Sequence, residues 1–178
     1  MKVKGMLIVM SLLLISLSFG CFDNSQKYPT VMPDDFYFIS EKGFSPSTLN
    51  TLLDTKQGII GKLLGTGADG YISTKYNIPQ ENLQGIYDLI VQYDIKSYSG
   101  SEWLTDNSVF MMNLEYYSKL TFCIDGKIYT VLYGNSVTYG GSSRKYANLG
   151  VFERKLHSQY CVSTEEYQSF PEATNLPE

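Results

Sequence analysis

The chain has 178 residues, with 14 basic and 18 acidic side chains, one histidine and a formal net charge of −4. This acidic balance argues against nucleic acid as a partner, because nucleic-acid-binding domains carry basic patches that neutralise phosphates. The length is that of one ordinary domain with a substantial core.

The first 20 residues have the pattern of a secretory signal. Lys2 and Lys4 form a short positive segment, and residues 5–19 are apolar with only serines interrupting them. A membrane-spanning helix needs roughly 20 apolar residues, whereas this run has about 15. We therefore expect residues 1–20 to be a cleaved signal peptide and not a permanent helical anchor.

The signal ends in the stretch Leu17-Ser18-Phe19-Gly20-Cys21. This stretch resembles a bacterial lipobox, in which the cysteine is diacylated and becomes the new N-terminus, although Ser18 and Phe19 depart from the residues usual at their positions. Ser18 and Gly20 also fit the small-x-small site of ordinary signal peptidase, which would release a soluble protein. We predict lipidation of Cys21, and two acyl chains would anchor the protein stably on the extracytoplasmic side of the cell membrane or outer membrane.

Cleavage changes both the charge and the cysteine count. Loss of Lys2 and Lys4 leaves 12 of the 14 basic residues against 18 acidic ones, a formal charge of −6. With Cys21 acylated, Cys123 and Cys161 are the two remaining cysteines, and an even pair outside the cytoplasm favours a disulfide. The bridge would close a loop of about 38 residues and contribute up to ~4 kcal/mol. Two buried free thiols are the alternative.

The remainder divides into a spacer and one domain. Residues 21–33 are polar, include two prolines and lack periodicity, which is typical of a flexible spacer. We expect residues 34–178 to form one α+β domain, with an antiparallel sheet of about five strands and two main helices packed on one face. The expected strands are 36–40, 58–64, 71–76, 120–124 and 127–133, whereas 43–55 is expected to be a loop or a short helical turn.

Residues 65–70 spell the string G-x-G-x-x-G. In a dinucleotide site this string follows a strand and opens a helix whose N-terminus holds the pyrophosphate. Here it precedes the β-forming stretch 71–76, so we interpret it as a hairpin connection and expect no cofactor.

Two helices and one hairpin carry the clearest local signals. Apolar residues recur at helical spacing in 79–93, and less regularly in 144–160. Asp125-Gly126 lies between two β-rich runs and favours a type I′ turn, which would pair Ile124 with Lys127 and Cys123 with Ile128.

Few residues suggest chemistry. Glu153, His157 and Cys161 are four residues apart and would share a helix face, but a structural zinc site needs four ligands and a catalytic one about three. A Cys–His nucleophile fails if Cys161 is in a disulfide, so we expect His157 to be a surface residue, no metal and no enzymatic activity. Trp103, in a predicted loop, is a candidate binding anchor, although tryptophan also commonly plugs a core.

A cysteine-anchored export signal, a lysine-rimmed Asp125-Gly126 hairpin, a following helix and the stretch 165–173 together resemble a set of small bacterial lipoproteins of unknown function. The resemblance implies no activity. We expect a non-enzymatic binding module whose partners are the membrane, through its anchor, and an envelope protein or peptide. An envelope hydrolase using unplaced acidic residues, or an inhibitor or immunity lipoprotein, are the alternatives.

Overall fold

The computed structural model describes residues 28–45, 48–64, 70–100, 117–134 and 146–172. The chain divides into two compact units, Met1–Val31 and Met32–Glu178, and the second contains every helix and strand described below. The signal peptide, Cys21 and Trp103 lie outside the described residues, so the predictions about them stay predictions.

A six-stranded antiparallel sheet forms the second unit, in the order β4-β3-β2-β1-β5-β6. Together with two main helices it confirms the α+β class, with six strands instead of about five. The strands are β1 (Tyr37–Ser45), β2 (Thr48–Asp54), β3 (Ile59–Leu63), β4 (Tyr71–Lys75), β5 (Tyr117–Ile124) and β6 (Lys127–Tyr133).

The additional strand is β2, which was expected to be a loop or a helical turn. Leu49, Leu52 and Leu53 have the i, i+3, i+4 spacing of a helix. In the structure β2 pairs with β1 on one side and β3 on the other, so its backbone hydrogen bonds are satisfied along both edges. Tertiary pairing has overridden a weak local pattern.

The two predicted hairpins are confirmed. Ile124 pairs with Lys127 and Cys123 with Ile128, and the turn residues Asp125 and Gly126 have φ values of 51° and 72°, as a type I′ turn requires. Leu63 pairs with Tyr71, so a strand and not a helix follows the glycine-rich stretch. Residues 65–69 of that stretch lie outside the described residues.

Both main helices lie where the apolar periodicity predicts them. They are α1 (Gln80–Gln92) and α2 (Ala147–Tyr160), and a one-turn helix α3 (Glu165–Gln168) and a 3₁₀ turn (Ile95–Tyr98) accompany them. Helices α1 and α2 approach closely at Gly85, because a Cβ there would lie 2.1 Å from the Tyr160 hydroxyl. Glycine at this position therefore permits the two helices to pack.

Strand alternation gives the sheet two chemically different faces. On β1, Phe38, Ser40 and Lys42 share one face, which we name the helix face, because the Phe38 ring lies 6.2 Å from the Phe152 ring of α2. Residues Tyr37, Ile39 and Glu41 share the other, which we name the opposite face. The buried apolar core includes Phe38, Leu53, Ile60, Leu120, Phe122 and Val131 from the strands and Ile86, Ile90, Leu149, Phe152 and Leu156 from the helices.

Candidate functional site

Helix α2 carries a buried carboxylate, Glu153, which is directed at the helix face of the sheet. The Glu153 side chain is 1% exposed, and its Oε2 accepts a hydrogen bond from Lys42 Nζ at 2.9 Å. Its Oε1 accepts a hydrogen bond from the Tyr133 hydroxyl. Strands β1 and β6 thus supply a cation and a donor to one helix residue. Both carboxylate oxygens are engaged, which is how a buried charge is normally stabilised.

Histidine 157 and Cys161 lie one and two turns beyond Glu153. The His157 ring packs edge-to-face on Tyr167 with ring centroids 6.3 Å apart, and His157 is half-buried, less accessible than a fully exposed surface histidine. Burial, and then the positive charge of Lys42, lower the pKa of His157. Burial, and then the Glu153 charge, raise the pKa of the Cys161 thiol to about 12. A nucleophilic cysteine needs a lowered pKa, so Cys161 is poorly suited to thiolate chemistry.

The predicted disulfide is absent from the structure, in which Cys123 and Cys161 are both buried free cysteines. The sheet explains the difference. Phe122 pairs with Phe38 on the helix face, so its neighbour Cys123 points to the opposite face. Helix α2 packs on the helix face, and Cys161 follows its last residue, Tyr160. The sheet therefore separates the two sulfurs, and a bridge would require backbone rearrangement.

The Cys123 thiol is held at the turn of the β5–β6 hairpin. Its Sγ donates to Asp35 Oδ2 at 3.4 Å, and the same oxygen accepts the Gly126 N–H at 2.5 Å. Burial and then the Asp35 carboxylate raise the pKa of Cys123. The raised pKa lowers the thiolate fraction of Cys123, and the two contacts of Asp35 join the segment before β1 to the hairpin turn.

A second ion pair lies on the opposite face. Glu41 on β1 and Lys119 on β5 are directly paired in the sheet, and Lys119 Nζ lies 2.8 Å from Glu41 Oε2. Both side chains are partly accessible, at 23% for Glu41 and 34% for Lys119. The hydrogen bond to Glu41 raises the pKa of Lys119. The pair therefore presents two charges that an approaching molecule can reach.

Apolar side chains lie beside this pair and further along the same face. Leu52 pairs with Glu41 and Leu132 with Lys119, whereas Ile128 lies further along β6, opposite Cys123. Ile128 on β6 is 65% exposed, a large fraction for an isoleucine. Tyr71 lies across Gly61, where an added Cβ would lie 2.0 Å from the Tyr71 hydroxyl, and burial followed by the Glu41 charge raises the pKa of Tyr71 to about 12. The half-buried members of this face are Tyr37, Ile39, Leu52, Ile59, Thr121, Thr130 and Leu132.

The sequence signals identified only some of these residues. The helical spacing of Glu153, His157 and Cys161 was visible, but the lysine and tyrosine that bind Glu153 were not, because Lys42 lies 111 positions away. Alternation of charge and apolar residues in β1 could have indicated Glu41 as a residue of a half-exposed face.

Among the described residues, no three His, Cys, Asp or Glu side chains are grouped so that they could hold a metal ion. No helix in the same described ranges is both long and apolar enough to cross a membrane.

No protein-family model matches the chain, and no curated protein is significantly similar to it.

Proposed function

We propose that the protein is an exported lipoprotein, anchored through Cys21 on the extracytoplasmic side of the cell or outer membrane, and that it acts there as a non-enzymatic binding module. The anchor rests on the charged and apolar pattern of residues 1–20 and on the cysteine that follows it. The binding role rests on the opposite face of the sheet.

One observation carries the binding role: the accessible Glu41–Lys119 pair lies among half-buried apolar and aromatic side chains. Protein interfaces combine an apolar, aromatic centre with charges that set orientation and partner choice. An isolated surface ion pair contributes only about 0–1 kcal/mol to stability, so stability alone gives little reason for it. We therefore assign this face to an envelope protein or peptide partner.

The groups on the helix face support a role without catalysis. Glu153 is 1% exposed and each of its carboxylate oxygens accepts a hydrogen bond from a neighbouring side chain, so the group is not presented to a substrate. The Cys161 thiol has a raised pKa, which disfavours the thiolate that nucleophilic catalysis requires.

The anchor is tested by the intact mass of the protein purified from membranes, measured with and without reduction before thiol alkylation. We expect a diacylglyceryl mass on Cys21 and two thiols, Cys123 and Cys161, that alkylate after unfolding without reduction. A soluble species without lipid, beginning at Cys21, would refute the anchor.

The binding face is tested by charge reversal. Glu41→Lys and Lys119→Glu each remove the pair and leave two like charges, and the double variant restores a pair with inverted orientation. We expect each single variant to lose a membrane partner that crosslinking recovers with the unmodified protein. The double variant should not restore it, because the partner's own charges match the original position of each charge. Lys127→Glu at the hairpin turn is the matched control. Equal recovery by all variants would refute the assignment.

A further inference from the structure

A cavity lies at the end of the sheet where β2 turns into β3. It has a volume of about 230 Å³ and lies between the turn at Thr55, Gln57 and Gly58 and the connection from β4 to α1. None of its lining residues belongs to the Glu41–Lys119 pair or to the cluster around Glu153. The cavity is therefore a separate feature of the molecule.

Local backbone geometry builds the rim of this cavity. Asp54 Oδ1 accepts the N–H groups of Lys56 and Gln57 at 2.9 Å each, which fixes the turn after β2. Gly58 has a φ of 64°, and a Cβ added there would lie 3.2 Å from the Tyr76 carbonyl oxygen. Tyr76 N in turn donates to the Gly58 carbonyl at 2.9 Å. The two walls are thus joined through their backbones, and the rim is preformed.

The charge of the lining is one-sided. Its one ionic side chain is the Lys75 ammonium, 3.5 Å from the Gln57 carbonyl oxygen, and none of the lining residues is acidic. Further hydrogen-bond donors come from the Gln57 and Asn77 amides and the Thr55 hydroxyl, whose oxygen already accepts the Phe38 N–H. In an acidic protein, this is a local region that favours an anion.

The remaining lining is apolar, which narrows the class of ligand. Ile78 contributes carbon surface to the lining. A single cation matches a monoanion better than a phosphate dianion, which proteins usually hold with several donors and a bidentate arginine. The volume equals that of about seven or eight water molecules, which admits a ligand of similar heavy-atom count.

We propose that this cavity binds a small organic carboxylate, with the carboxylate on Lys75 and the apolar group against Ile78. A free short-chain acid and the C-terminal residue of a peptide share this chemistry. The site does not depend on the opposite face, so it holds whether or not that face binds a partner.

Titration of the full-length chain with isobutyrate tests the site, with amide shifts of Gly58, Lys75 and Asn77 followed by NMR. Isobutyramide, of the same size and uncharged, is the matched ligand. We expect saturable shifts with isobutyrate and a roughly tenfold weaker response with isobutyramide, the loss of one charge-assisted hydrogen bond. Equal shifts with both ligands, or none with either, would overturn the proposal.

Matched variants locate the effect. Lys75→Gln removes the charge but keeps a donor on an exposed side chain, so folding is not at risk, and Lys127→Gln makes the same change at the hairpin turn. We expect Lys75→Gln to weaken isobutyrate binding about tenfold and Lys127→Gln to leave it unchanged. The same titration with acetyl-Gly-Ala distinguishes a peptide C-terminus from a free acid. The natural ligand resembles whichever of the two compounds binds more tightly. An equal loss in both variants would show non-specific charge attraction and refute the site.

Discussion

Two neighbouring residues of β1 form ion pairs of nearly equal length on opposite faces of the sheet. Lys42 lies 2.9 Å from Glu153, and Glu41 lies 2.8 Å from Lys119. The two pairs differ mainly in their carboxylates: Glu153 is 1% exposed and its partner Lys42 21%, whereas Glu41 is 23% exposed and its partner Lys119 34%. The burial of the carboxylate, and not the length of the ion pair, therefore determines how much each pair contributes to the free energy of unfolding.

The physical consequence follows from desolvation. Removing one partner from a buried pair leaves an uncompensated charge in a low-dielectric interior, at a cost of about 3–5 kcal/mol. Removing one partner from an exposed pair leaves a charge that water solvates, and the loss is about 0–1 kcal/mol. The ion pair on the helix face is therefore expected to contribute more to stability than the pair on the opposite face.

The largest expected effect comes from Lys42→Met, which removes the cation but keeps much of the side-chain length. We expect a loss of about 3–5 kcal/mol in the free energy of unfolding, because Glu153 stays buried with only the Tyr133 hydroxyl bound to it. Urea denaturation monitored by circular dichroism measures it. A loss below about 1 kcal/mol would mean that Glu153 is solvated in the folded protein.

A medium effect is expected from Gly61→Ala on the opposite face. The new Cβ would overlap the Tyr71 hydroxyl and approach the Ile72 carbonyl oxygen at 3.2 Å, and overpacking of this kind costs about 1–3 kcal/mol. In a Tyr71→Ser background the same substitution should cost less, because the ring is gone. If the losses in free energy of unfolding are additive in the double variant, Tyr71 does not pack against Gly61.

A small effect is expected from Lys119→Met, the counterpart of Lys42→Met. Glu41 remains hydrated, so the free energy of unfolding should fall by no more than about 1 kcal/mol. Both variants are measured under the same denaturation conditions, so that their difference is the test. Equal losses would remove the distinction between the two faces.

The smallest expected effect concerns how the free energy of unfolding depends on pH, through the protonation of His157. The folded protein lowers the pKa of His157, and Lys42, Glu153 and Tyr167 are the groups that face it. The unfolded chain therefore binds the proton more readily, and stability falls as pH drops below the unfolded value of about 6.5 and levels off below the folded pKa. His157→Gln should flatten this slope in denaturation series between pH 7 and pH 5. An unchanged slope would assign the effect to other groups.

Local signals in the sequence specified the parts of the fold that depend on near neighbours. The Asp125-Gly126 turn fixed the register of β5 and β6, and periodicity located α1, because both depend on residues close in sequence. Strand β2 was missed because its pairing partners on both sides, and not its own residues, determine its conformation.

The contacts between residues far apart in the sequence were less predictable. The expected Cys123–Cys161 bridge required knowing on which face of the sheet α2 packs, and the hairpin pattern leaves that choice open. The Lys42–Glu153 pair joins the first strand to the last long helix, which no local pattern encodes. Long-range packing decides both.

Site-specific photo-crosslinking in living cells tests the central claim, that the opposite face is the binding face. A photoreactive residue at Ile128 samples that face, and one at Val162, which is 38% exposed after α2, samples the helical side. We predict a discrete adduct with an envelope protein from Ile128 that Glu41→Lys abolishes, and none from Val162. Adducts from Val162 alone, or an Ile128 adduct unaffected by Glu41→Lys, would contradict the account.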